Sequence, residues 1–237
     1  MNLTTLETII LLVVQFFGSL LLWIAIALLA ERATITVFQK RCIEIFCAVL
    51  LLVWYAATPF LALRGFFAEG GLTLVLVLTL IFGFVLMFSK TFRKLLDITP
   101  MHWMIGFQVL RVFGVTWLIG YAQGLLPATF AIPAGIGDTL TGLTAPLVAY
   151  WYYKKWKGAR LIAFIWCLLG SLDLVNAITL ANVAHATAAI AVLPFVLIPA
   201  VGVPRFLVLH GYTFWLLGKR RTAKAIQPRR TAKAIQL

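Results

Sequence analysis

Of 237 residues, 63% are hydrophobic and 11% are charged, whereas a soluble domain carries roughly 25% charged residues. That balance excludes an ordinary water-soluble domain, and apolar stretches of about twenty residues joined by short connections imply a bundle of membrane-spanning helices. The formal net charge of +13 falls in short clusters between these stretches and in the tail, which points to anionic lipid headgroups, not nucleic acid, as partner.

In chain order, the apolar stretches predict an all-α membrane bundle of about seven transmembrane helices near residues 6–30, 42–63, 72–89, 103–121, 137–153, 161–182 and 199–217. The first lacks a basic flank, carries Glu7 and is longer than the core of a signal peptide, so it reads as an uncleaved span. The last belongs to a longer apolar run, 186–217, broken by Pro194, Pro199, Gly202 and Pro204; the piece before Pro199 is expected to be a kinked extension or a re-entrant segment. Residues 1–218 thus form a single transmembrane domain. Residues 219–237 form a basic tail in which the octamer beginning at Arg220 is repeated from Arg229, expected to be disordered or to lie on the membrane surface.

Orientation follows from the connections, because cytoplasmic loops collect Lys and Arg. Arg32, Lys40 and Arg41 fall in the first, Lys90, Arg93 and Lys94 in the third, Lys154, Lys155, Lys157 and Arg160 in the fifth, and Lys219, Arg220 and Arg221 after the last span. The second has only Arg64, offset by Glu69, and the fourth, 122–136, and the turn around His185 have neither Lys nor Arg. This alternation predicts an outside N-terminus and a cytoplasmic C-terminus. Trp103, Trp117, Trp151, Trp156 and Trp215 fall near span ends, as interfacial anchors do.

Polar residues are unevenly spread. The first three spans hold Gln15 and Glu44, whereas the last four hold Gln108, Arg111, Asp138, Thr139, Thr141, Asp173, Asn176, Asn182 and Arg205. An ionisable group at bilayer depth is costly and normally paired or solvated. At about 1.5 Å per residue, Arg111 lies about 12 Å, Asp173 and Arg205 about 18 Å and Asp138 about 24 Å from the cytoplasmic helix ends. Arg111 is therefore expected to meet Asp173, and Arg205 to meet Asp173 or Asp138. Gln108 shares a helix face with Arg111, Asp173 shares one with Asn176, and Gly135, Asp138, Gly142 and Ala145 make a narrow face of small residues. Two plainer readings stand beside this one: Asp138, opening the fifth span after Pro133, Gly135 and Gly137, as a helix N-cap, and Arg111 with Asp173 as a purely structural pair. The stretch 125–137 is expected to be a tight outer loop or backbone lining a cavity.

Cys42, Cys47 and Cys167 have no metal-ligand spacing and read as small buried residues. His102, His185 and His210 lie at mismatched levels for haem ligation, and no HExxH, CxxC or G-x-S-x-G pattern occurs. A redox or hydrolytic enzyme is therefore disfavoured, and no cofactor is indicated.

Seven spans of this orientation are shared with microbial rhodopsins, but no lysine stands within the last span. The Pro-Gln pair of small three-plus-one-plus-three sugar transporters is missing as well. The run from Gln108 to Arg111, with Leu126-Pro127 and the stretch from Pro133 to Asp138, resembles uncharacterised bacterial membrane proteins, which implies the bacterial plasma (inner) membrane. Two functional expectations follow. One is a small permease or ligand-binding protein with an outward-opening polar pocket between spans four and seven, Arg111 its anion or proton-relay partner. The other is a non-catalytic accessory subunit, partnered by another membrane protein or a second copy of the chain through its apolar first three spans.

Overall fold

The computed structural model describes residues 3–234, with side chains for residues 5–219. Helices are the regular elements of the fold, with no strand among the described residues. Among the described residues six helices are long and apolar enough to cross a membrane. A further one, Ala128–Tyr153, has 26 residues and so a length of about 39 Å against a hydrocarbon core of about 30 Å. It is not among the six because glycine, threonine and proline dilute its apolar content.

Helix α1 (Leu3–Arg32) runs into α2 (Val37–Leu63) through a short turn closed by a capping box. Thr36 Oγ1 accepts from the Gln39 amide at 3.2 Å, and Gln39 Oε1 accepts from the Thr36 amide at 3.1 Å. After a π-type turn, Phe67–Gly71, helix α3 (Leu72–Leu86) leads to a helix where only a basic connection was expected. This helix, α4 (Lys90–Ile98), is strongly amphipathic: Leu95 and Leu96 are buried while Lys90, Arg93 and Lys94 face outward. Lys94 donates to the Thr34 carbonyl at 3.0 Å, and Lys219 pairs with Asp97, so α4 straps the ends of α1 and the last helix together.

The fourth span is not one regular helix. It consists of α5 (Met101–Phe107), a seven-residue 3₁₀ stretch Gln108–Gly114, and α6 (Val115–Ala122). Side chains three apart eclipse in a 3₁₀ helix, so Gln108, Arg111 and Gly114 form one row, and all three are buried.

Helix α7 (Ala128–Tyr153), which covers the expected fifth span, packs along α5, the 3₁₀ stretch and α6 on one side and α8 (Ala159–Val183) on the other. It begins nine residues before the expected start at 137. The presumed outer loop is helix, with Ala131 and Ala134 fully buried. Pro133 and the glycines that read as turn signals serve close helix packing instead, as small residues do in membranes. Gly135, Asp138, Gly142 and Ala145 are all buried on the shared face.

The run before the last span is neither straight nor exposed. After the single turn α9 (Thr187–Ile190), residues 191–197 fold back irregularly, with Phe195, Val196 and Leu197 buried. A π-type turn, Ile198–Gly202, then opens α10 (Val203–Ala234). Trp54 Nε1 on α2 donates to the Ala200 carbonyl at 3.1 Å. The expected disorder of the tail falls on residues whose side chains lie outside the described set.

Burial is asymmetric. In the apolar window of the last span 56% is buried inside the protein, against 6% in that of α2. The packed core is built by α7, α8, α10 and the broken fourth span, and α2 lies at the edge.

Candidate functional site

Arg111 is the largest fully buried side chain, 1% exposed, and the row of the 3₁₀ stretch aims it at α7 and α8. Its Nε donates to Asp138 Oδ1 at 2.8 Å, Nη1 to the Gly170 carbonyl at 2.9 Å, and Nη2 to Asp173 Oδ2. A fourth contact runs from Nη1 to His210 Nε2 on α10 at 3.3 Å. Guanidinium can only donate, so Nε2 is the acceptor and the ring proton sits on Nδ1. Nδ1 lies 3.1 Å from Cys167 Sγ, which that proton faces. Trp117 Nε1 donates to Asp138 Oδ2 at 3.3 Å, so both carboxylate oxygens of Asp138 are engaged.

Glycines make this convergence sterically feasible. A Cβ on Gly142 would overlap the backbone nitrogen of Val112, one on Gly114 would overlap Asp138, and one on Gly137 would overlap the Asp173 carboxylate. One on Gly170 would come within 3.0 Å of His210 Nε2 and 3.1 Å of Arg111 Nη1. The backbones approach so closely that the centre leaves little space. The adjoining cavity, between Gln15, Arg111, Gly114 and Asp138, is about 10 Å³, about what one water requires. The expected open pocket is thus a close-packed polar centre.

The pairing of Arg111 with Asp173 is present, and Asp138 joins it. Asp138 is not an N-cap: α7 starts ten residues earlier, which places the carboxylate inside the helix. Arg205 does not reach either acid. It turns to α1, donating through Nη1 to Ser19 Oγ at 3.2 Å and through Nη2 to Gln15 Oε1. Its Nε is buried without a partner. Gln108 stays in the inner row, where its Nε2 donates to the Phe206 carbonyl at 3.4 Å and its Oε1 is buried without a partner. Asn176 is exposed and lies outside the cluster.

Three members of the centre escaped sequence reasoning. His210 was weighed only as a haem ligand, Cys167 only as an apolar filler, and Trp117 only as an interfacial anchor, although Trp117 is 3% exposed. The spacing of Arg111, Gly114 and Trp117 in steps of three was the available signal for the last.

A family model described as a domain of unknown function, DUF8737, matches residues 70–218, more than half of the chain. The chain belongs to this family. No curated protein matches the chain, nor does any solved structure. The DUF8737 segment contains every residue of the Arg111 centre, whereas Gln15 and Ser19, which hold Arg205, precede it.

Chemically, the centre sets two carboxylates against one guanidinium. With both acids ionised it carries one negative charge in excess. Asp173 is the more accessible acid, its side chain 16% exposed against 6% for Asp138. Among the described residues no group of three His, Cys, Asp or Glu is placed to hold a metal ion.

Proposed function

We propose that this is a seven-span protein of the bacterial plasma (inner) membrane, N-terminus outside and C-terminus cytoplasmic, acting as a small permease with the Arg111 centre as its proton relay. The alternating basic connections support the orientation, and the length of α7 supports the seventh span. The observation that carries the mechanism is the unequal charge of Arg111, Asp138 and Asp173. Asp173 lies about 21 Å along α8 from its start at Ala159, and Asp138 about 22 Å from the end of α7 at Tyr153, so both sit near mid-membrane. A surplus charge there costs roughly 3 kcal/mol on insertion scales, and a proton on a carboxylate removes it. Asp173, the more accessible acid, takes and releases that proton, while Arg111 and Trp117 hold the Asp138 carboxyl in place. A passage of this kind needs water-sized space, in keeping with the small adjoining cavity.

The test is proton flux into liposomes loaded with a pH-sensitive dye under an imposed potential. Asp173→Asn should lower the flux at least tenfold while remaining monodisperse. Wild-type flux equal to that of empty liposomes rejects the relay.

A second reading rests on a separate observation. The window of α2 is 6% buried, and its apolar side chains Phe46, Val49, Leu52 and Val53 are all exposed. This supports an accessory subunit docked through the first spans, in which the charged centre only maintains the fold. A stoichiometric membrane partner after mild detergent extraction, with no proton flux, favours that reading.

A further inference from the structure

A larger cavity lies away from the Arg111 centre. It is a cleft of about 670 Å³ where α5 and α8 begin and α7 ends. This volume lies within the range of small-molecule sites, about 300–1,000 Å³. Its lining brings together His102, Lys155 and Arg160 with Tyr152, Tyr153 and Trp156, and contains neither Asp nor Glu. The backbone of the turn shapes it: Lys155 has φ 54° and Gly158 has φ 76°, so the chain doubles back tightly between α7 and α8. His102 stacks edge-on against Tyr153 at 5.0 Å between ring centroids, and Trp151 against Trp156 at 4.8 Å. Arg160 is anchored by donation to the Leu217 carbonyl. A fixed cation, a second exposed one and an imidazole therefore line one open surface cleft rimmed by amphipathic rings.

We propose that this cleft binds a phosphate-bearing anion at the membrane surface. Charge selects the anion, since cations line the cleft and no acid opposes them. The ring of tyrosine and tryptophan bodies, exposed at Tyr153 and Trp156, matches the headgroup level, where such side chains concentrate. An anionic phospholipid headgroup and a free phosphate compound share this chemistry. The lipid source rests on the orientation above, which puts the turn at the cytoplasmic leaflet; the anion site itself does not.

Full-length protein in neutral detergent separates these sources. Native mass spectrometry with added phosphatidylglycerol or phosphatidylcholine reads lipid binding, and calorimetric titration with inorganic phosphate reads the soluble source. The informative variant is Lys155→Asn, because asparagine tolerates the left-handed backbone and Arg160 keeps its structural bond. One cation near an anionic headgroup is worth about a factor of five. Wild type should retain phosphatidylglycerol over phosphatidylcholine, with the preference falling about fivefold in Lys155→Asn and further in Lys155→Glu, at unchanged melting temperature. Phosphate binding that weakens in the same variants, without lipid preference, supports the site with a soluble ligand. If neither probe distinguishes wild type from Lys155→Glu, or both phospholipids bind equally and phosphate not at all, the proposal is overturned. Proton flux does not enter these readouts, so failure here leaves the relay standing, and the reverse.

Discussion

Replacing Arg111 by leucine tests the charged centre most directly. The substitution removes the donor to Asp138, Asp173, Gly170 and His210 together and strands two carboxylates within a packed protein. Breaking one buried ion pair by deleting a partner costs about 3–5 kcal/mol. Here two acids lose the same partner, so Arg111→Leu should cost at least that, a large part of a total stability of about 5–15 kcal/mol. The variant should elute as aggregate and melt far below wild type. Loss of packing and loss of charge compensation are separated by adding Asp138→Asn and Asp173→Asn, which remove both stranded charges. The triple variant should regain most of the monodispersity but no proton flux. Measurement is by fluorescence-detected gel filtration after graded heating. An Arg111→Leu protein as thermostable as wild type would refute the argument, because no uncompensated pair of carboxylates could then be buried there.

Three further outcomes are expected. Gly142→Ala should destabilise by about 1–3 kcal/mol through overpacking against Val112, whereas Gly211→Ala on α10, which meets nothing within 4 Å, should be neutral or stabilise by up to about 1 kcal/mol; thermal melts of the two variants compare them. Trp117→Phe keeps the ring but removes the donor to Asp138 Oδ2, and denaturation curves should record a loss of about 0.5–1.5 kcal/mol. In a background lacking Cys42, Cys47 and Cys167, single cysteines at Lys157 and Lys219 should react with an impermeant maleimide only from the cytoplasmic side, and one at Glu69 only from outside; reaction of position 219 from outside overturns the orientation.

The runs long and apolar enough to cross a membrane were legible because solvent dictates them: a bilayer demands about twenty apolar residues per crossing, and the ends of α1, α2 and α8 fall within a few residues of their expected limits. The start of α7 was not, since Pro133, Gly135 and Gly137 carry the same letters whether they break a helix or let another backbone approach it. Only the neighbours, Leu118 against Gly135 and Asp173 against Gly137, decide between these uses. The pairing of Arg111 with Asp173 could be foreseen from depth and charge. That Arg205 would choose Gln15 and Ser19 depends on which helix lies alongside α10, and rise per residue carries no information about lateral neighbours. His210 escaped for a related reason: its level was readable, but its part in the centre arises from contact between α10 and α8.

The 3₁₀ winding of Gln108–Gly114 has a mechanical corollary. Each residue of such a helix advances about 0.5 Å more and turns about 20° more than in an α-helix. Over the seven residues of this stretch, rewinding to α-helix would shorten the span by about 3.5 Å and rotate everything beyond Gly114 by about 140° relative to α5. Trp117 lies beyond that point and Arg111 within it, while both are fastened to the same carboxylate of Asp138. Asp138 therefore acts as a clamp on helical pitch: the inner and outer halves of this span cannot turn against each other while both bonds hold.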